Sequence, residues 1–358
     1  MPRLGDVAEG RDNNLNAIRL CAALAVLVSH AWPITGGPGT IEPLQVLTGT
    51  TLGTYAVMVF FGLSGFLITA SFQRDPNPRR FCLRRARRLF PGLILCLGLT
   101  VFCLGPMVSD LSILAYLSDE SLWSFLLING LMIGFQGDLP GVFQGNPYPA
   151  AAGSIWTLQY EVMCYGAVLV AGCLGLLGAK KRALLTFTVG ITAAAIMLAF
   201  QEHLPTRLIR LSEFAIPFAF GGVAWIWRDR IPLNAGALIG LCLAAVLAHG
   251  TVVQPIFEPL AITYATLLIG FVGGPSMSVR LPGDYSYGIY IYAFPVQGLI
   301  IHVFGTMDPW MNVLLATPVT VCLAAASWHW VERPSLRRQS GSASRLKTMG
   351  TISPRAPG

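Results

Sequence analysis

Charged side chains are scarce in this sequence: they make up 11% of its 358 residues, against about 25% in an ordinary soluble domain. That scarcity excludes a water-soluble enzyme of this length, because 54% of the residues are hydrophobic. The mean hydropathy is +0.62, and the apolar runs lack the polar stripe of a half-buried helix. Metal-ligand spacing is absent too. The eight cysteines lie mostly inside apolar runs, with no CxxC pair and no Cys/His cluster, which argues against zinc and against a disulfide framework and makes them small packing residues. There is no internal repeat and no second soluble domain. A single membrane unit over 1–334 is expected, followed by a tail at 335–358 rich in Ser, Arg, Gly and Pro that is expected to be disordered.

What is present is a series of long apolar runs, expected as spans at 15–33, 52–73, 89–108, 154–177, 183–200, 207–227, 233–249, 255–274, 285–305 and 311–331. The run at 121–135 is shorter and suits a re-entrant or interfacial helix. Basic residues cluster at the N-terminus, 74–88, 180–182, 228–230, Arg280 and the tail from Arg333, and none stands between Arg88 and Lys180. Since cytoplasmic loops collect Lys and Arg, these clusters predict an all-α bundle of about ten transmembrane helices with both termini cytoplasmic and 109–153 outside. The net charge of +7 is then topological and needs no nucleic acid. The first run begins too polar and has no small-residue cleavage site, so it is expected to remain as an anchor.

Four polar constellations stand out against this background. Arg19 and His30 share the first span with ten residues between them. Their eleven steps of about 1.5 Å cover roughly 16 Å, about half of a ~30 Å hydrocarbon layer, and ionisable groups at such depth are functional candidates. The bland alternative is a snorkelling Arg and a His satisfied by a carbonyl. Arg84, Arg85 and Arg88 recur at helical spacing just before the third span, where guanidinium forks suit phosphate; a plain basic loop that orients the chain is the competing reading.

Glu161 lies about two turns into a later span and needs a partner. His30 would be oriented by such a carboxylate; the alternatives are a water-lined vestibule or a bond to Tyr160 or Tyr165. Arg207 and Arg210 break the positive-inside pattern. Arg210 and Glu213, three apart, can neutralise each other, or the arginines can meet an acidic or polyhydroxyl acceptor. Trp156 and Tyr160, beside Glu161, are further acceptor-contact candidates.

The order of these motifs resembles acyltransferase family three, bacterial integral-membrane O-acyltransferases of cell-surface polysaccharides. The resemblance covers 13–334: R-x10-H at Arg19 and His30, FFGLSGFLIT at 60–69, R-R-x-x-R-x-x-P from Arg84 to Pro91, IWTLQYE at 155–161, YSYGIYIYAFP at 285–295 and VERP at 331–334. The forms SHAWP and WTLQYE are similar to exopolysaccharide acyltransferases. One departure is Ala293, where the family often has His or Trp.

The resemblance implies ten spans in the bacterial cytoplasmic membrane and transfer of an acyl group, usually acetyl, from cytoplasmic acyl-CoA to a sugar hydroxyl outside, with no tightly bound cofactor and no metal. Arg84, Arg85 and Arg88 would hold the CoA phosphates and the pantetheine arm would pass Arg19. Ser286 and Tyr287 would line the donor channel, and His30 would act as general base or acyl carrier. A secondary transporter or flippase would also hold intramembrane Arg, His and Glu, but repeat-related halves with paired broken helices are expected there and are not found in the sequence. A haem protein would need paired histidines at matched depth, a role for His30, His249 or His302 that leaves the arginine loop unexplained.

Overall fold

Residues 2–8, 10, 13–271 and 281–337 of the computed structural model are described. Eleven helices carry the architecture: α1 Leu15–Gly36, α2 Leu52–Arg74, α3 Pro78–Leu99, α4 Glu120–Gly130, α5 Leu158–Cys173, α6 Lys180–Ala199, α7 Thr206–Ile226, α8 Ala235–Ala248, α9 Gln254–Phe271, α10 Ser286–Phe304 and α11 Pro309–Ser327. Among the described residues the chain is otherwise turns, short helical pieces and two isolated bridging pairs. Among the described residues seven stretches are long and apolar enough to cross a membrane; Pro78–Val108 and Pro309–Arg337 each run on past α3 and α11. Helices α5, α8 and α9 occupy three further expected spans, but their 16, 14 and 18 residues fall outside those seven. The short run at 121–135 forms α4, of 11 residues. Helix continues to Arg337, so the first residues of the expected tail are ordered; Arg280 and 338–358 lie outside the described residues.

Local chemistry sets the helix starts. Thr51 accepts a hydrogen bond from the Thr54 amide at the head of α2, Asn77 accepts from Arg80 ahead of Pro78, and Asp308 accepts from Trp310 ahead of Pro309. These caps satisfy amides that have no partner within the helix. One face of the bundle can be traced from side-chain and backbone contacts. There Leu4 and Gly5 donate to the carbonyls of Ile231 and Arg228, and Lys180 pairs with Asp229 at 2.6 Å. The N-terminus, the start of α6 and the α7–α8 connection therefore meet.

Helix α2 is central, packed against α1, α7 and α9, while α10 packs against α1 and α11. Its approach to α7 is close because small residues face each other: a Cβ on Gly65 would sit 1.8 Å from the Phe218 carbonyl oxygen, and one on Gly221 would sit 2.0 Å from the Gly62 carbonyl oxygen. Small residues allow such backbone contact between apolar helices, where lipid gives no hydrophobic drive to associate. Gly65→Ala should therefore force α2 and α7 apart and cost about 1–3 kcal/mol, read as a lower melting temperature in detergent. An unchanged melting temperature would show that the crossing tolerates a methyl group.

Candidate active site

Among the described residues the helices form a pair of cavities set back to back. One, of about 740 Å³, is lined by His30, Glu42, Trp156, Arg210, Glu213 and Glu258 among others. The other, of about 190 Å³, is lined by Arg19, Arg84, Arg85, Arg88, Glu161, Ser286 and Tyr287. Val57, Thr157 and Tyr290 line both, and the Thr157 and Tyr290 hydroxyls share a short hydrogen bond. This pair forms the wall between the cavities. Helix α1 serves both: Arg19 near its start reaches the arginine cavity, and His30 eleven residues on reaches the histidine cavity.

His30 stands edge-on to Phe294 with ring centroids 5.3 Å apart. Its Nδ1 is buried and has no hydrogen-bond partner among the described residues. Phe294 follows Ala293, so α10 gives His30 an aromatic wall at this level in place of a second polar group.

The arginine cavity is organised by carboxylates. Arg19 Nη1 donates to Asp284 Oδ2 at 2.8 Å and Arg88 Nη2 donates to the same oxygen at 2.6 Å, while Ser286 donates to Oδ1 at 2.6 Å. Burial disfavours ionisation of Asp284, yet the two guanidiniums outweigh it and hold its carboxyl well below the usual carboxylate range. Arg84 pairs with Asp75 at 2.6 Å, and the hydrogen bond from Arg84 lowers the pKa of Asp75. Arg85 has no carboxylate partner among the described residues, and its Nε is buried and unbonded. Four guanidiniums thus face one small cavity, three of them already paired and one not.

Several of the expected residues share a cavity. Arg84, Arg85, Arg88, Ser286 and Tyr287 line one cavity together with Arg19, and Trp156 and Arg210 line the other with His30. The guanidinium of Arg210 lies 5.8 Å above the Trp156 ring and pairs with Glu213 at 2.8 Å. Three expectations need correction. Glu161 does not bond His30: its carboxylate accepts from Ser64 at 2.8 Å and from Tyr165, and it lines the arginine cavity. The reason is local, since Tyr165 is one helical turn further along α5 and satisfies the carboxylate first.

Tyr160 is 4% exposed and packs against Trp156 and Phe214; it lines neither cavity. Arg207 donates to the Ile133 carbonyl at 2.8 Å and also lies outside both. The sequence reading missed Asp284, Glu42, Glu258 and the Thr157–Tyr290 pair. Thr157 and Tyr290 sat inside quoted motifs, whereas Asp284 was legible only as the lone carboxylate just before YSYGIYIYAFP.

Known proteins can now be set beside this geometry. A family model described as an acyltransferase domain, acyltransferase family three, matches residues 12–329. The chain belongs to that family. It is an O-acyltransferase, and its apolar helices make it a multi-pass membrane protein. An O-acetyl transferase of Shigella phage Sf6 is 29% identical over 92% of this chain and 98% of its own length. Nodulation protein 10 of Rhizobium leguminosarum bv. viciae is 27% identical over 94% and 97%. The peptidoglycan O-acetyltransferase OatA of Listeria monocytogenes is 23% identical over 79% of this chain and 51% of its own. No solved structure matches.

In this acyltransferase the Asp284 clamp should be measurable by itself. Asp284→Asn leaves two half-buried guanidiniums without their carboxylate, which should cost about 1–3 kcal/mol of unfolding free energy. Because the carboxyl is held below its unfolded value of about 3.9, its contribution is fully present above that pH and fades only as pH falls through the lower, folded value. Thermal melts from about pH 8 down to about pH 5 should therefore show a constant deficit for the variant. A deficit that disappears within that window would mean that Asp284 is not held ionised by the arginines.

Proposed function

We propose that this chain is an O-acetyltransferase of the bacterial cytoplasmic membrane that takes its acyl group from cytoplasmic acyl-CoA and passes it to a hydroxyl of an extracytoplasmic polysaccharide. The observation that carries the reading is the pair of cavities back to back, arginines in one and His30 in the other, parted by Thr157 and Tyr290. Relatives named as O-acetyltransferases, one of them for peptidoglycan, support acetyl and a glycan as the two substrates. Ten spanning helices with both ends cytoplasmic fit the basic residues near the N-terminus, at 180–182 and at 228–230, and the contacts that join those three segments on one face support it.

The arginine cavity is then the donor side. Its guanidinium forks take phosphate oxygens, and Arg85 brings the one guanidinium of the four that makes no ion pair among the described residues. The acyl end of the donor reaches the wall at Thr157 and Tyr290. The acceptor oxygen attacks the thioester carbonyl carbon, the new C–O ester bond forms as the C–S bond breaks, and the hydroxyl proton passes through the imidazole of His30 to the departing thiolate. In the two-step variant His30 first takes the acyl group and then yields it to the hydroxyl. Both routes end in an ester and free CoA thiol. Glu161, bonded to Ser64 and Tyr165, shapes the donor side.

His30→Ala should lower O-acylation by about 100-fold or more while the protein still inserts at normal levels. Mass spectrometry of surface glycans from cells with and without the variant reads the loss as one missing acyl mass per site, and near-normal acylation would remove His30 from the mechanism. On the donor side, Arg85→Gln should weaken acetyl-CoA binding in titrations of the detergent-solubilised protein more than Arg84→Gln does, since Arg84 is already paired with Asp75. The difference should shrink as salt rises, and Arg85→Lys should recover only part of it. Equal affinities in the two Gln variants would mean that Arg85 is not the phosphate anchor.

A further inference from the structure

The histidine cavity, of about 740 Å³, falls within the range of about 300–1,000 Å³ usual for small-molecule sites. Its ionisable lining is unbalanced. Glu42, Glu213 and Glu258 face it against the single guanidinium of Arg210. Arg210 is paired with Glu213, and Glu42 and Glu258 make no ion pair among the described residues. Glu42 accepts hydrogen bonds on both oxygens, from the Ser29 hydroxyl at 2.6 Å and from the Leu52 amide. Glu258 accepts from the Tyr55 hydroxyl at 2.7 Å.

The rest of the lining suits a polyhydroxyl ligand. Gln45, Gln201 and Gln254 present amides that can both donate and accept, and the Trp156 ring offers an apolar face. His30 lines the same wall, and its Nδ1 is buried with no hydrogen-bond partner among the described residues.

We infer that the acceptor sugar bound beside His30 is neutral or carries a free amine, and that the cavity turns away sugars bearing carboxylate, phosphate or sulfate at that position. The inference rests on the reading of this cavity as the acceptor side. A negative charge brought into a cleft walled by low-dielectric protein meets Glu42 and Glu258 with little screening. A neutral hydroxyl meets only hydrogen-bonding groups, and an ammonium meets attraction.

The test is calorimetric titration of the full-length, detergent-solubilised protein with three trisaccharides of matched length: one neutral, one with free amines and one with uronic acid carboxylates. The neutral and amine probes should bind at least about tenfold more tightly than the uronate probe, because like charges brought together oppose binding. Glu258→Gln keeps an acceptor oxygen for Tyr55 and removes the charge. It should narrow that gap about threefold with no change in melting temperature.

Uronate binding equal to or tighter than neutral binding, binding of none of the three probes, or an unchanged gap in Glu258→Gln would each overturn the inference. No acyl donor enters this titration, so the acyl-transfer reading is judged separately. Probes that bind in the expected order but are never acylated when acetyl-CoA is added would count against that reading and leave the charge rule standing.

Discussion

One carboxylate oxygen of Asp284 holds both Arg19 and Arg88, and much of the arginine cavity depends on that contact. It ties α1 to α3 through the segment just before α10, three elements far apart in sequence. Without it the two guanidiniums would lose the carboxylate they share, a costly change in a partly buried site. With it, Arg19 stays at the cavity wall instead of turning toward a membrane surface, and α1 is fixed so that its other end presents His30 to the second cavity.

The arrangement also separates tasks among residues of one type. Arg84 and Arg88 are held by carboxylates, so their positions are set before any ligand arrives. A phosphate meeting them finds donors already oriented, and preorganised donors bind with less loss of freedom. Arg85 differs in making no ion pair among the described residues, although Glu161 lines the same cavity. The motif R-R-x-x-R looks uniform as a string, but burial and neighbours make its three arginines unlike one another.

Much of the helix pattern was legible in the sequence because it rests on apolar run length and on basic clusters, both local properties. Each of the ten expected spans has a helix at its position. Their edges shifted where capping decided them, as at Asn77 and Pro78, which start α3 well before its apolar stretch. The arginine group was legible from helical spacing, and so was the division of α1 between Arg19 and His30. What could not be read was pairing between distant segments. Glu161 looked free to reach His30 because depth along a helix says nothing about which way the side chain turns, and Tyr165 on its own helix took the bond. Glu42 and Glu258 drew no notice, since isolated glutamates in or near apolar runs carry no spacing signal until folding brings them to one cavity.

The partition made by Val57, Thr157 and Tyr290 has an electrical consequence. With the cavities open to opposite sides of the bilayer as proposed, the membrane voltage drops mainly across this thin layer instead of across the full hydrocarbon depth. Moving one elementary charge through such a drop involves about 2.3 kcal/mol per 100 mV. The acyl group moves one way as an acylium equivalent while the hydroxyl proton moves the other way to the thiolate, so the exchange carries no net charge through the field. Thr157 and Tyr290 are also uncharged, and the partition itself has no net charge for the voltage to pull on. Group transfer at this point can therefore run at the same free-energy cost in an energised and a de-energised cell.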